Sequence, residues 1–427
     1  MRRFRSTDSN FATAFAAFLD ERRETPEEVD AVVRDVITAV RTEGLAALLR
    51  FAREFDGVAL DERSLRVDEA EIDEGARACP KPVREAIAFA AERIRSYHAR
   101  QRPADLRFTD EAGVELGWRW TPIEAVGIYV PGGRAAYPST VLMNAVPATV
   151  AGVERIAMVT PPGRLQPAVL AAAKAAGVRE IWRVGGAQAI AALAYGAGPI
   201  RPVDKIVGPG NAFVTAAKRR VYGAVGIDAL AGPSEIVVVA DGANRPEWIA
   251  ADLVSQAEHD PAAQAILITD DEAFASRVEA AIRAQLSALA TGVDAAASWR
   301  DHGAVVIAPL DEAPRLVDRI APEHVEFAVE DPERLAGRVR HAGAIFLGRH
   351  SPEAIGDYVA GSNHVLPTSR AARFSSGLSL HDFLKRTSIV GCDEAAFARL
   401  APATIALAEA EGLPAHARSA AIRMGQG

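Results

Sequence analysis

Apolar positions along this chain recur with two periods, and the change from one to the other marks its organisation. Near the N-terminus Phe11, Phe15 and Phe18 recur at helical spacing, which predicts an amphipathic helix packed against the rest of the protein. The basic start Arg2-Arg3-Phe4-Arg5 before that apolar run also resembles a short signal peptide. Asp20, Glu21, Arg22 and Arg23 follow at once, however, and favour the helix. Residues 1–24 are therefore expected to form a small helical arm. Thr25-Pro26-Glu27-Glu28 reads as a capping box with proline at the first helical position, opening a helix that ends before Asp56-Gly57. A further long helix is predicted over about 81–101.

From about residue 124 short β-branched runs alternate with alanine-rich stretches of helical length. Val126–Val130, Ile156–Thr160, Ile181–Val184 and Ile206–Val207 read as strands, with helices such as Pro167–Ala176 and Ala187–Tyr195 between them. A second series follows at Ile236–Ala240, Ala265–Thr269, Ala304–Ala308, Val325–Val329 and Ala344–Leu347. Such alternation implies βαβ units and parallel sheets. A single core stops growing at about 250–300 residues, so 427 residues imply two sheets rather than one. The expected fold is α/β, with two doubly wound, Rossmann-like sheet domains between the helical arm and a helical tail at about 378–427.

Composition narrows the function classes. The net charge of −8 is spread out and no basic run is present to grip a phosphate backbone, so nucleic acid is not an expected partner. No apolar run approaches the roughly 20 residues of a membrane span. Cys79 and Cys392 are the only cysteines and lie far apart, which suits a reducing cytoplasm. Eight of the nine histidines fall in the C-terminal half, where chemistry is therefore sought first.

In the first series three strand ends run into glycine: Tyr129-Val130-Pro131-Gly132-Gly133, Val184-Gly185-Gly186-Ala187-Gln188 and Val207-Gly208-Pro209-Gly210-Asn211. Such turns let a ligand approach the backbone and offer it free helix N–H groups. Three together favour a phosphate-bearing cofactor, although Phe213 stands where the last glycine of a dinucleotide fingerprint would fall. In the second series Gln256 and His259, at i and i+3 near a helix end, share a face and could hold one ion, or His259 could simply complement the helix dipole. Glu323-His324, at the mouth of a strand, suits proton transfer. Ser351 is expected to cap a helix through Ser351-Pro352-Glu353, and Asp357 inside that helix is an unusual choice of residue. His364 follows in a loop and His416 in the tail, and two histidines with Asp357 and Gln256 would make a nitrogen and oxygen set suited to Zn²⁺.

Several irregular motifs closely resemble the histidinol dehydrogenase family. They are Val184-Gly185-Gly186-Ala187-Gln188-Ala189, Gly208-Pro209-Gly210-Asn211, Ala231-Gly232-Pro233-Ser234-Glu235, Ser255-Gln256-Ala257-Glu258-His259, Pro322-Glu323-His324, Gly356-Asp357-Tyr358 and Asn363-His364-Val365-Leu366-Pro367. The resemblance runs from about residue 25 to about 423. It implies oxidation of L-histidinol through L-histidinal to L-histidine with two NAD reduced, the last two steps of histidine biosynthesis. It also implies one zinc ion per subunit on Gln256, His259, Asp357 and His416. Glu323 and His324 would be the acid–base pair, and Tyr129, Gln188 and Asn211 would line the NAD site. Ser234, His364 and Glu411, together with His324 and the metal ligands, would contact histidinol. By the same resemblance the chain is a homodimer with shared active sites, to which the tail brings Glu411 and His416 across the interface. The implied domains are a catalytic one at 25–128 plus 235–377, an inserted NAD-side one at 129–234, and the tail at 378–427. A rival within the family would oxidise another small alcohol, such as a sulfonated diol.

Overall fold

The computed structural model describes residues 1–21, 27–132, 137–163 and 165–425. The Thr25-Pro26 part of the expected capping box, Gly133 and Arg134 lie outside the described residues. Among the described residues the strands form three sheets.

The first sheet runs in the order Arg66–Val67, Glu180–Arg183, Arg155–Thr160, Ala125–Tyr129, Lys205–Val207, Gly226–Ile227. It is parallel apart from the short first strand. Strand order reverses between Ala125–Tyr129 and Lys205–Val207, so a crevice opens at their carboxyl ends. There Gly208, at φ 110°, passes so close that a Cβ would stand 2.3 Å from the Tyr129 carbonyl oxygen. Buried Lys218 and Asp228 form an ion pair, and between them bind both the carbonyl and the N–H of this glycine.

The second sheet runs Arg2–Arg5, Ala304–Ile307, Gln264–Thr269, Glu235–Ala240, His324–Ala328, Ala344–Leu347 and is parallel throughout. Its own reversal lies between Glu235–Ala240 and His324–Ala328. The carboxyl end there is occupied: Arg349 pairs with Asp241 at 2.6 Å, and the Asn244 amide donates to the Ala328 carbonyl. What remains available is the amino edge. The chain itself brings this edge near the first sheet. Residues 228–234 lead straight from the carboxyl end of Gly226–Ile227 to the amino end of Glu235–Ala240. Eight such peptide steps span at most about 30 Å.

Each of the two six-stranded sheets buries both faces, as doubly wound folds require. The predicted strands in both series are present to within a residue or two at their ends. Four expectations change. The arm is not separate: Arg2–Arg5 extends the second sheet, and Phe11, Phe15 and Phe18 join that sheet's core beside Phe327. The helix predicted up to Asp56 is two helices, Glu27–Glu43 and Leu45–Phe55, broken at Gly44 with φ 58°. These and the Glu69–Ala78 and Lys81–Ala99 helices pack mainly on the first sheet, although Lys81–Ala99 also bonds Val359, Ala360 and Asn363 of the 235–377 region with which 25–128 was grouped. Last, the tail is not wholly helical. Leu384–Gly391 pairs antiparallel with Glu115–Pro122, which in turn pairs with Leu106–Thr109. Helices Glu394–Ala410 and Pro414–Ala421 follow.

Phe15 is 0% exposed in a packed core whereas Phe55 is 56% exposed. Phe15→Ala should therefore lower unfolding free energy by about 3–5 kcal/mol, and Phe55→Ala by under about 1 kcal/mol. The check is the midpoint of urea unfolding; equal shifts for both would mean that the arm does not belong to the core.

Candidate active site and metal centre

At the amino edge of the second sheet four pieces of chain meet. The strand His324–Ala328 supplies Glu323 and His324 at its start, and the helix Pro246–Ala257 supplies Gln256 and, just past its end, His259. The helix Glu353–Tyr358 supplies Glu353 and Asp357, and the following loop supplies His364. Local sequence explains these placements. Helix Pro246–Ala257 opens on a proline at its first position, and Glu258 closes it with its N–H on the Val254 and Gln256 carbonyls. The His259 N–H also returns to the Gln256 carbonyl, at 3.2 Å, which holds the two side chains together.

Distances within the group are short. His324 Nδ1 lies 3.8 Å from both Glu323 Oε2 and Glu353 Oε1, and its Nε2 lies 3.7 Å from Asp357 Oδ1. Those separations are too long for direct hydrogen bonds, and Nδ1 has no hydrogen-bond partner. Glu323 Oε2 accepts the Glu235 N–H at 3.0 Å. His364 Nδ1 lies 3.0 Å from the Asp357 carbonyl, which requires the proton on Nδ1 and leaves Nε2 to act as an acceptor. Ligand atoms of His259, Glu353 and Asp357 all fall within 4.8 Å of one another.

The electrostatics of the group are unbalanced. Burial pushes Glu323 well above the usual carboxylate range, reinforced by Glu235, Glu353 and Asp357. Burial does the same to Glu353, with the Asp357 and Asp252 carboxyls adding to it. Asp357 is pushed up to about 7, also by burial. Burial drives the imidazoles the other way: His324 falls to about 3 and His364 to about 4. His259 presents an open edge, yet enough protein surrounds its ring for desolvation to lower its pKa as well. No Arg or Lys among the described residues contributes to holding these acids. Gln256 completes the pattern. It is 0% exposed and neither its amide oxygen nor its amide nitrogen has a hydrogen-bond partner. Buried amides are left unpaired at a substantial cost, so this one is fitted to a group that the protein chain does not supply. Carboxylate, imidazole and amide oxygen around a cation-free gap fit a divalent metal ion.

Homology agrees with this chemistry. The profile of the histidinol dehydrogenase family matches residues 19–424. The chain belongs to the histidinol dehydrogenase family. It is similar to the histidinol dehydrogenase of Caulobacter vibrioides, at 76% identity over all of both chains. It is likewise similar to that of Rhodospirillum rubrum, at 59% identity over all of this chain and 99% of the other. The crystal structure of the Elizabethkingia anophelis histidinol dehydrogenase superposes with a TM-score of 0.94 at 34% identity, covering 100% of this chain and 98% of that one. The protein is thus an oxidoreductase of the histidinol dehydrogenase family.

In this chain the residues singled out by sequence do not all converge within one protomer. Gln256, His259, Glu323, His324, Asp357 and His364 come together, with Ser234 adjoining through Glu235. Glu411 and His416 stand apart: both are exposed on the tail helices, and His416 is not in the metal-binding group. On the first sheet Tyr129 and Gln188 are buried near the carboxyl ends of their strands, and Asn211 is exposed there. Two of the expected free helix ends are already filled. The Tyr129 hydroxyl accepts the Gly186 N–H at 3.2 Å, and Asn211 Oδ1 accepts the N–H groups of Phe213 and Val214. Ser351 is not the cap of its helix: Pro352 is, and Ser351 Oγ donates to the Leu347 carbonyl. Glu353, read from sequence only as part of that cap, is instead a member of the site.

A pH prediction follows from His324. Its pKa is about 3 in the folded chain against about 6.5 for an unfolded one, so the unfolded state takes up the proton first. Its contribution to stability is complete above about 6.5 and is lost as pH falls towards about 3. Compared with His324→Gln, the wild type should lose stability over that window and keep a constant difference above pH 7. Unfolding titrations at several pH values measure this; parallel curves would mean that His324 is not held neutral by burial.

Proposed function

We propose that this chain oxidises L-histidinol to L-histidinal and then to L-histidine, passing both pairs of electrons to NAD at the end of histidine biosynthesis. The observation that carries the reading is the buried group of acids and imidazoles, with an orphaned Gln256 amide and no protein cation. Gln256, His259 and Asp357 would hold Zn²⁺, with His416 of a partner subunit as the fourth ligand. Bound there, the ion would act as a template for the amine and imidazole nitrogens of histidinol.

His324 is the general base. It is neutral at working pH, its Nδ1 is unpaired, and it accepts the hydroxyl proton as the carbinol hydrogen leaves as hydride. Glu323 serves the second step by taking a proton from the water that hydrates the aldehyde. Its raised pKa keeps it protonated when the site carries only acids, and a nearby divalent cation favours the carboxylate that this role needs. Ser234 and His364 line the place left for substrate, and Tyr129, Gln188 and Asn211 would face NAD at the crevice of the first sheet.

The tail supports a shared site. Leu400, Leu407, Leu413 and Ile422 expose an apolar surface on the tail helices that carry Glu411 and His416. Within the protomer those helices touch the body around Ala112 and Gly113, where Arg399 donates to the Ala112 carbonyl. A second copy of the chain would cover that surface and receive both residues.

The first test is NADH release with L-histidinol. Two NADH per substrate are expected, with activity lost on chelation and restored by Zn²⁺. Preference for a sulfonated diol, or full activity in chelator, would overturn the substrate or the metal. Glu323→Gln should slow histidinal oxidation about 10²–10⁴-fold and histidinol oxidation much less. Equal losses in the two steps would remove the water-activating role. Mixing His416→Ala and Glu323→Gln protomers, each defective in histidinal oxidation, should restore part of that activity, since one site of each hybrid dimer would be intact. A mixture that exchanges subunits yet stays inactive would rule out sharing.

A further inference from the structure

One buried acid beneath the site has no part in that chemistry. His324, Glu326 and Ala328 alternate onto the same side of their strand, where Ala328 packs with Ile249 and Leu253 of the helix Pro246–Ala257. Glu326 is 3% exposed in this apolar layer, a position where a carboxyl survives only if its oxygens are bonded. Both partners are informative. Glu326 Oε1 accepts the backbone N–H of Glu353 at 2.5 Å. The carboxyl also lies within reach of the Asp252 carboxyl, and burial raises the pKa of both acids.

Each partner stands one turn before a residue read as a metal ligand. Asp252 is four residues before Gln256 on the helix Pro246–Ala257, and Glu353 is four before Asp357 on the helix Glu353–Tyr358. The second of these helices has no side-chain cap of its own, because Pro352 occupies the capping position. Glu326 supplies the acceptor that this helix start lacks.

We propose that Glu326 is a positioning residue: it pins the helix bearing Gln256 to the helix bearing Asp357, and so sets the spacing of the metal ligands before an ion binds. The inference rests on reading Gln256, His259 and Asp357 as ligands. Groups that orient metal ligands in this way alter affinity by roughly 10–100-fold when removed.

The test uses the full-length protein and measures Zn²⁺ affinity by competition with a chromogenic chelator, together with the visible spectrum of the Co²⁺-loaded protein. Glu326→Leu should weaken Zn²⁺ binding roughly 10–100-fold and change the Co²⁺ band. Glu326→Gln can still accept from Glu353 and donate to Asp252, so it should stay within about threefold of wild type with an unchanged band. Asp252→Leu carries the same measurement should Glu326→Leu not fold, and is expected to weaken binding likewise. If the leucine variants bind Zn²⁺ as wild type does while Asp357→Ala does not, the positioning role is wrong. A failure of Glu326→Gln to rescue also overturns it. If Asp357→Ala and Gln256→Ala both leave affinity unchanged, the metal reading fails instead.

Discussion

The structure depends on one electrostatic arrangement: several acids and imidazoles buried together with no positive side chain among them. Water would stabilise the charged forms of these groups, and the protein has removed that water. Without a cation the acids are driven towards protonation and the imidazoles towards neutrality, as the opposite shifts of Glu323 and His324 record. A divalent ion reverses the balance by favouring carboxylate at every nearby oxygen. Metal binding is thereby coupled to proton release and to folding stability alike. The orphaned Gln256 amide belongs to the same arrangement, because its polar atoms are buried for a partner from outside the chain.

Architecture decides where such a group can form. In the first sheet the crevice follows the usual rule, with Tyr129 and the Gly208 turn at the carboxyl ends of the strands that flank the reversal. In the second sheet that end is closed by Asp241, Arg349 and Asn244, and the chemistry moves to the amino edge. The short 228–234 connection makes this workable by carrying the chain from one edge to the other. In the proposed reaction the crevice and the metal group would share a substrate although they sit at opposite kinds of strand end. The Lys218–Asp228 pair that fixes Gly208 stands beside this connection and steadies the crevice backbone.

Much of the fold was legible because its strands are apolar runs of ordinary length separated by glycine turns. What was missed depended on partners distant in sequence. Arg2–Arg5 is as polar a strand as the chain contains, and only pairing with Ala304–Ile307 makes it one. Leu384–Gly391 likewise needs Glu115–Pro122. The helices before residue 100 carry no mark of the sheet they cover, so grouping them with 235–377 had nothing local to correct it. The irregular motifs around Gln256, Glu323 and Asp357 made the site readable, whereas Glu353 read only as part of a cap and nothing singled out Glu326. A signal for Glu326 did exist: an acid between Val325 and Phe327, in a strand with both faces buried, has to be bonded to something.

Leu384–Gly391 also has a consequence for assembly. An eight-residue antiparallel pairing clamps the base of the tail to the body, so its two helices leave from a fixed point in a fixed direction. A tail on a loose linker would have to surrender its conformational freedom each time two copies met, and that loss would weaken their association. Here the strand pairing fixes the base of the tail within the single chain. In the homodimer proposed above, a tail held in this way would meet the second copy already shaped, and its geometry, rather than its flexibility, would determine which surface it reaches.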